Sequence, residues 1–569
     1  MKLNKFLYIG AAAMLSLSSC NDFLDKLPDN RIDPNNPTQL QLILAGGYLT
    51  YNYATMCEMS SDNIVDNHAP DDKGINYPNL TANDPIDDQY FAWEDANMSS
   101  SQDSPTAVWS GCYAAIAAAN HVLEKIDEFK AEGRTFGTED QERLDAAYGE
   151  ALLMRAYNHF LLVNLFGPQY RGEESANDVG VPYVTKPENT VHVDYQRESV
   201  KAVYDKIEAD LLEGLSYVND QYYDAPKYHF NKSAANAFAA RFYLYKRDYK
   251  KVEEYATAAL GTNPSQMLRS DYWQTNYTSL DADAQAYFSS LSSNNFHLLA
   301  TNSVMFYAMC FSATSGGSRY AVNRDGATST LYGSGPTWSS YIPAIGSRLY
   351  VNGQQQYGLW PSWQYIQFEY TDKVAGIGYP KAIRAEFSGE ETLLMRAEAR
   401  IYLGDLAGAV EDLNYWNKSH STTTSIMPDL TAEKIADPQN GFYIKANTTS
   451  GARDPRPYIL QDLHIDEVCP VAGYTVTEDK LPYLWCVLHF RRIETVLTGM
   501  RWFDIKRYGI EITHKIGTNR VETLTTFDPR RAFQVPIEAI SSGLQPTPRT
   551  TEKINESQIH AAVLEGSVQ

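Results

Sequence analysis

The stretch GEALLMRA at residues 149–156 decides the fold, because it occurs again as GEETLLMRA at residues 389–397. The letters Leu-Leu-Met-Arg-Ala are identical in the two copies. A third, looser copy runs from Ala234 to Tyr245, where Ala240 takes the place of the final Ala of the other two. Repetition of this kind is typical of chains built from stacked helix pairs, which bury their apolar faces against one another.

The repeat resembles the tetratricopeptide helix pair. The third copy fills that family's positions with Ala240, Tyr243, Tyr249, Val252, Ala259 and Pro264, and the second copy with Ala397, Gly404, Leu406, Ala409 and Leu413. Small residues at Ala240 and Ala397 allow the two helices of a pair to touch closely. Asp248-Tyr249 and Gly404-Asp405 mark the turns between the helices. The copies are far apart in the chain, so the repeats are not in tandem.

Two further helices are predicted from apolar residues at helical spacing, from Val200 to Leu215 and from Trp109 to Phe129. Between the helices lie stretches rich in Gly, Ser, Asn and Tyr, at residues 62–103, 261–385 and 416–481. Loops of this length in a compact domain usually carry function. The predicted fold is therefore mainly α, a tetratricopeptide-like helical-repeat scaffold of about four helix pairs with long irregular aromatic-rich loops and minor β.

Composition excludes several classes of partner. The chain has 569 residues, with 48 Lys and Arg against 70 Asp and Glu, and a formal charge of −22. Nucleic acids and anionic lipid surfaces require clustered cations, so neither is an expected partner. A neutral or cationic ligand suits this charge. The 40 Tyr and the 12% aromatic content fit either a surface that faces sugars or peptides, or a large core with many edges.

The N-terminus has the organisation of a secretory signal. Lys2 and Lys5 precede an apolar run, Phe6 to Leu17, that is too short to span a bilayer. Cys20 directly follows small residues and resembles a lipobox, in which the Cys becomes the first mature residue and carries lipid. We therefore expect a signal peptide over residues 1–19 and a lipid anchor on Cys20. The alternative is an ordinary signal peptide with a chance Cys.

Four short motifs carry a second resemblance. They are CNDFLDKLP at 20–28, NLFG at 164–167, RRIETVLTGMRWFDIKRYG at 491–509 and FQVPI at 533–537. With the Leu-Leu-Met-Arg-Ala helices, and in this order, they resemble the SusD/RagB family of surface lipoproteins. The chain departs from the family at Pro536-Ile537-Glu538, where the family has Pro-Ile-Pro.

The resemblance implies a fold, a location and a partner. The fold would be one SusD-like domain over residues 20–569, with an N-terminal part to about 300 and a C-terminal part from about 301. Members are nutrient-binding lipoproteins, anchored by acyl chains such as palmitate to the cell outer membrane and facing the exterior. They pass oligosaccharides or peptides to a SusC/RagA-type TonB-dependent transporter, and they are not enzymes.

A site for sugars or peptides needs aromatic rings beside planar polar groups. One stretch interleaves Tyr77, Tyr90, Phe91 and Trp93 with Asp84, Asp87 and Asp88, and a second contains Trp273, Tyr277 and residues 315–341. The predicted ligand-binding residues are Trp93, Trp273, Arg319, Tyr320 and Trp338. Each one alone could equally be a packing residue, so the prediction depends on the cluster. The aspartates could hold Ca²⁺, but they lack the spacing of an EF-hand loop, so no cofactor is predicted.

Two other functions stay open. The sequence has no nucleophile elbow, zinc-protease motif, Walker loop or complete dinucleotide fingerprint, so no enzyme is predicted. A surface glycoside hydrolase of the same uptake system is an alternative, because it needs no more than two suitably separated carboxylates. A protein-interaction scaffold is another, since tetratricopeptide repeats commonly bind protein segments.

The motif at 491–509 is expected to have a structural role. Arg501 and Asp504, three residues apart on a helix, are predicted to pair. Trp502 and Phe503 are predicted to lie in the core, and Gly509 to end the helix.

Overall fold

The computed structural model describes residues 34–70, 74, 76, 83–96, 102–188, 193–310, 317–351, 358–445 and 453–549. The predicted signal peptide, Cys20 and the motif at 20–28 lie outside the described residues, as does Tyr77. No helix in the described ranges is both long enough and apolar enough to cross a membrane.

The helices in the described part of the chain are numbered here in chain order. They are α1 (Pro37–Gly47), α2 (Ala54–Met59), α3 (Pro85–Phe91), α4 (Pro105–Ala131), α5 (Thr138–Phe166), α6 (Val200–Tyr217), α7 (Lys232–Lys246), α8 (Tyr249–Leu260), α9 (Ser270–Gln274), α10 (Leu280–Tyr287), α11 (Arg324–Ala327), α12 (Pro343–Gly346), α13 (Gly389–Leu403), α14 (Leu406–Ser419), α15 (Ala432–Ala436), α16 (Arg456–Ile459), α17 (Ile465–Val468), α18 (Leu481–Glu494), α19 (Met500–Tyr508) and α20 (Ile537–Ser541).

The strands are short, and most form two-stranded ribbons. They are β1 (Val65–Asp66), β2 (Asn295–Asn302), β3 (Tyr320–Ala321), β4 (Leu349–Val351), β5 (Leu359–Pro361), β6 (Gln367–Asp372), β7 (Ile377–Ser388), β8 (Ile512–Ile516) and β9 (Arg520–Leu524). The largest sheet has the order β2-β7-β6, and β1–β3, β4–β5 and β8–β9 are separate pairs. All of these pairings are antiparallel.

The three repeat copies are helices α5, α7 and α13, as the sequence predicts. The turns between paired helices also lie where predicted: Arg247 is left-handed before α8, and Gly404 has φ 87° before α14. The side chains of Asp248 and Asp405 cap the helices that follow. Both further helices are confirmed, as α6 and as α4, which extends beyond the predicted range at both ends.

The repeated Arg makes the same contact in two copies. Arg155 of α5 donates from Nε and Nη2 to both carboxylate oxygens of Asp210 on α6, at 2.7 Å each. Arg396 of α13 donates in the same bidentate way to Asp412 on α14, at 2.9 and 2.7 Å. Bidentate pairs of this kind are among the strongest hydrogen bonds in proteins. In these two copies the motif therefore binds the repeat helix to the helix that follows it in the chain.

The helices pack in a continuous series. Helices α4, α5 and α6 lie side by side, α7 packs on α6 and α8, and α13 packs on α8, α14 and α18. The pairs α4–α5, α7–α8, α13–α14 and α18–α19 are consecutive helices in contact, which confirms the predicted mainly α repeat scaffold. Gly389 sits where β7 passes into α13, and an added Cβ there would come 1.8 Å from the carbonyl oxygen of Met267. That approach requires glycine.

The late motif forms α19, and it joins the C-terminal segment to the scaffold. Trp502 and Phe503 are buried and Gly509 ends the helix at φ 61°, as predicted. The predicted Arg501–Asp504 pair is wrong. Arg501 instead bonds Asp62, while Asp504 accepts from Arg491 of α18 and from Arg507. Arg501 has a partner on another element, and Asp504 has one partner on α18 and one a turn later on its own helix.

The stretches expected to be long irregular loops carry more secondary structure than predicted. Residues 261–385 contain the β2-β7-β6 sheet, and residues 62–103 and 416–481 contain α3 and short helices such as α16. Trp360 in β5 and Trp363 shortly after it are buried, and β6 begins four residues after Trp363. Non-local strand pairing, which local sequence does not reveal, explains the difference.

Candidate functional site

A cleft of about 360 Å³ opens where four distant segments meet. Residues before and in β1, the start of α11, the region of α16 and strand β8 form its walls. Its lining combines carboxylates, amides, hydroxyls and rings, among them Asp62, Asp66, Asn67, Phe91, Asn323, Asp325, Ser329, Tyr458, Gln461, Arg492, Glu511, Thr513, His514 and Lys515. A concave site of this size with converging polar groups is where small ligands bind.

Stacked rings form one wall of the cleft. The imidazole of His514 stacks on Phe91 at 4.1 Å and on Trp93 at 4.3 Å between ring centroids. Its Nδ1 lies 2.7 Å from the Phe91 carbonyl oxygen, and its Nε2 lies 3.0 Å from that of Ser61. Burial lowers the pKa of His514, although both carbonyls act in the opposite direction. The ring therefore ties β8 to α3 and to the segment after α2.

An ion-pair cluster supports this wall from behind. Arg319 donates to both oxygens of Asp66, at 3.1 and 3.0 Å, and its Nη1 donates to Asp88 at 2.7 Å. The hydroxyl of Tyr320 also donates to Asp88, at 2.5 Å. Burial and the bond to Asp88 raise the pKa of Tyr320 well above its usual value, so it remains a donor. These contacts fix the β1–β3 ribbon against α3.

A second cluster holds the opposite side. Asp62 accepts from Arg501 at 2.8 and 2.9 Å and from Gln461 at 3.0 Å. Arg492 donates to Asn63 at 2.7 Å and lies 3.3 Å from Asp62. Burial alone would raise the pKa of Asp62, but the two guanidinium groups hold it well below its usual range. Asp62 is therefore a fixed anion that positions the loop before β1.

The exposed part of the lining combines polar and charged side chains with one aromatic ring. The side chain of Tyr458 in α16 is 45% exposed. Asn323 caps α11 with its carbonyl oxygen and donates from its amide to Asn67 at 3.0 Å. Thr513 is exposed on β8 beside the cleft. Amides and hydroxyls next to a ring suit a ligand with apolar faces and many hydroxyls.

The structure brings three of the five predicted ligand residues together. Trp93, Arg319 and Tyr320 lie in the wall behind the cleft, connected through Phe91, His514 and the aspartates. The side chains of Trp93 and Tyr320 are buried, and Trp93 donates its Nε1 proton to the Ser60 carbonyl. They shape the cleft from behind, and direct ligand contact by them stays a prediction.

The other two predicted residues lie in a separate aromatic cluster. Trp273 contacts Trp363 at 5.3 Å and His420 at 5.2 Å. Trp338 donates to the Gly333 carbonyl at 2.9 Å and lies 5.8 Å from Phe490. Both tryptophans are at most 9% exposed, so little of either ring remains for a ligand. The five residues do not converge on one surface.

The aspartates considered for Ca²⁺ have other roles. Asp84 caps α3, and Asp88 bonds Arg319 and Tyr320. Asp87 is buried, and burial together with the neighbouring aspartates raises its pKa to about 7. Across the described ranges, no group of three or more His, Cys, Asp or Glu side chains is placed to hold a metal ion.

Sequence reasoning missed several lining residues, both exposed and buried. Tyr458 stands in a stretch assigned to a loop, and Asn67, Asn323 and Thr513 are ordinary polar residues without a motif. His514 alternates with exposed Thr513 and Lys515 on β8, a period-two pattern that could have marked it as inward-facing. No local signal shows that these segments meet.

Comparison with known proteins extends the resemblance. Residues 22–244 match a SusD-like family described as "Starch-binding associating with outer membrane". A "SusD-like protein" of Bacteroides ovatus is 24% identical over 187 residues, which are 32% of this chain and 30% of that protein. The chain thus spans less than a third of the length of this relative.

Solved structures match almost the whole chain. A SusD superfamily protein of Bacteroides vulgatus has a TM-score of 0.57 and 19% identity, covering 91% of this chain and 100% of that one. A SusD superfamily protein of Bacteroides thetaiotaomicron has a TM-score of 0.54 and 18% identity, and the match covers 90% of this chain and 100% of that one. A "Laminarin binding SusD-like protein" has a TM-score of 0.51 and 15% identity, and the match covers 90% of this chain and 100% of that one. These likenesses establish the fold.

Proposed function

We propose that this chain, a member of the SusD family, binds oligosaccharides in the cleft beside Tyr458 and delivers them to a SusC/RagA-type TonB-dependent transporter. Its lipid anchor would be Cys20, and its place the outer surface of the outer membrane. The cleft is the observation that carries the proposal. It joins an exposed ring to a set of amides and hydroxyls, on a scaffold shared with a laminarin-binding protein.

The chemistry of the two carboxylates in the cleft walls, Asp62 and Asp66, supports binding rather than hydrolysis. A glycosidase needs a carboxylic acid whose pKa is raised so that it can protonate the leaving group. The pKa of Asp62 is lowered instead, because the guanidinium groups of Arg492 and Arg501 outweigh the effect of burial. Asp66 accepts hydrogen bonds from Arg319, from the backbone of His68 at 2.9 Å and from that of Gly517 at 2.8 Å. These two of the four lining carboxylates are occupied in holding the walls, while Asp325 and Glu511 are exposed.

The test of ligand binding compares the loss of the exposed ring of Tyr458 in the cleft with the loss of an exposed ring elsewhere. Tyr458→Ala is expected to weaken binding of the best neutral oligosaccharide by about tenfold, because a stacked ring contributes roughly 1–1.5 kcal/mol. Tyr217→Ala is the matched control, since Tyr217 is 41% exposed on α6 and lines a different cavity. Isothermal titration with gluco-, xylo- and manno-oligosaccharides measures both. Absence of binding to the whole panel, or equal loss in both variants, would overturn the proposal.

The anchor and the partner are tested separately. Cys20→Ala in the full chain is expected to release the protein from the membrane fraction while its folded body stays intact. Detergent extraction of the lipidated protein is expected to recover a large TonB-dependent barrel with it. A membrane-bound Cys20→Ala variant would contradict the anchor, and extraction of the protein alone would contradict the partner.

A further inference from the structure

The charged side chains that line the cleft fall into two groups. Asp62, Asp66 and Arg492 are buried or nearly so, and Asp325, Glu511 and Lys515 are exposed. The groups differ in what they can offer to a ligand. Buried charges matter to binding if they have unsatisfied hydrogen-bond capacity, and exposed charges act mainly through their field.

The buried charges are engaged by the walls of the cleft. Each oxygen of Asp66 accepts two hydrogen bonds, one from Arg319 and one from a backbone amide. Arg492 donates from all three nitrogens, to the Asn63 side chain and to the carbonyl oxygens of Tyr458 and Asp62. A carboxylate or sulfate on a sugar needs guanidinium donors that point at it. Arg492 is the guanidinium among the lining residues, and each of its three nitrogens already donates to the walls.

The exposed charges are acidic on balance. Asp325 at the start of α11 and Glu511 before β8 are carboxylates, and Lys515 is the exposed cation of the lining. The whole chain adds a formal charge of −22 to this local excess. An anionic ligand would therefore enter a field of its own sign, while a neutral ligand would meet the amides and hydroxyls without that cost.

We propose, resting on the proposed function, that the cleft selects uncharged oligosaccharides and rejects those built from uronic acids or carrying sulfate. Each carboxylate about 6 Å from a ligand carboxylate opposes it by roughly 0.7 kcal/mol in water. Lys515 at a similar distance would offset one of the two, so the net penalty is about threefold in affinity. Salt screens such exposed charges over a Debye length of about 10 Å at 0.1 M. The discrimination therefore weakens as ionic strength rises.

The experiment compares one ligand in two charge states. Whichever of the gluco- and manno-oligosaccharides binds better is oxidised at C6 to its uronic acid form, and both forms are titrated into the full protein at about 0.02 M and 0.5 M salt. We expect the oxidised form to bind at least about threefold more weakly at low salt, and the difference in affinity to become smaller at high salt. A loss that salt does not reduce would indicate a steric effect and would overturn the charge argument.

A variant pair separates local from global charge. Asp325→Asn with Glu511→Gln is expected to reduce the ratio of neutral to oxidised affinity several-fold. The control, Glu254→Gln with Asp281→Asn, removes two exposed carboxylates elsewhere and should leave this ratio unchanged. An equal effect of both doubles would refute the assignment to the cleft.

Failure of the charge selection and failure of the proposed function give different results. Preferential binding of oxidised or naturally acidic oligosaccharides would overturn charge selection and leave oligosaccharide capture standing. Failure of neutral and acidic oligosaccharides alike would remove the proposed function, and the selectivity with it.

Discussion

Removing the repeated Arg should cost far more stability than removing a surface ion pair. The side chains of Arg396 and Asp412 are 5% and 0% exposed, and both oxygens of Asp412 are bound by Arg396. Arg396→Met would leave Asp412 with Arg400, which donates to it at 3.0 Å. Breaking a buried pair from one side typically costs 3–5 kcal/mol. We expect about 3 kcal/mol, at the lower end, because Arg400 remains.

Urea unfolding followed by circular dichroism measures this change, with the denaturation midpoint and slope both reported. Arg396→Met with Asp412→Leu removes the uncompensated charge and should recover most of the loss, because apolar replacement of a buried pair is often neutral. Lys445→Met is the control. It removes the 2.8 Å ion pair between Lys445 and Asp462, whose two side chains are 61% and 74% exposed. The loss of stability should be less than about 0.5 kcal/mol.

The pH dependence of Arg396→Met gives a further check. Burial raises the pKa of Asp412 even in the wild type, against the effect of Arg396. Without Arg396 the folded state should hold this proton more strongly than the unfolded state does, so stability is lost as pH rises. The penalty is therefore expected to be larger at pH 8 than at pH 5. A penalty no larger than that of Lys445→Met, or a double variant no more stable than the single, would refute the reasoning.

Gly389→Ala should destabilise the protein by more than about 2 kcal/mol in the same unfolding assay, because the new Cβ would meet the Met267 carbonyl. Gly46→Ala in α1 should instead stabilise it by roughly 0.5–1 kcal/mol, because the space around Gly46 is open. His297 is buried without a hydrogen bond to either ring nitrogen, and burial lowers its pKa to about 3. In the unfolded chain the His297 imidazole binds a proton below about pH 6.5, whereas in the folded chain it does not, so the wild type loses stability as the pH falls. His297→Phe should therefore reduce the stability loss between pH 7 and pH 5 by roughly 2 kcal/mol. An unchanged dependence of stability on pH would contradict this.

The helices were predictable because their signals are local. The apolar spacing of α4 and α6, the repeated letters of α5 and α13, and the turn at Gly404 all act within a few residues. The pairing of Arg155 with Asp210 and of Arg396 with Asp412 was not predicted, although the repeated Arg was visible. A buried Arg needs a carboxylate, but the sequence does not show which of the many carboxylates is in reach.

The aromatic residues of the long stretches were harder to interpret. Trp273 and Trp338 have the residue types and polar neighbours of a ligand site, yet they pack in a cluster that includes Trp363 and Phe490. Long connections between helices also need apolar side chains to hold them on the scaffold, and aromatic rings provide large buried areas. The same composition therefore fits a binding surface and a small core, and burial separates the two.

The late motif links stability to the candidate site. Arg501 and Arg492 flank the turn between α18 and α19, and both hold Asp62, whose loop leads into β1 and the cleft. The structural role predicted for the motif thus includes positioning a site more than 400 residues away in sequence. Arg501→Gln should therefore weaken ligand binding as well as lower stability, whereas Arg396→Met should lower stability while ligand affinity, measured on the folded fraction, stays close to that of the wild type. Equal effects of the two variants on affinity would show that the loop before β1 keeps its place without Arg501.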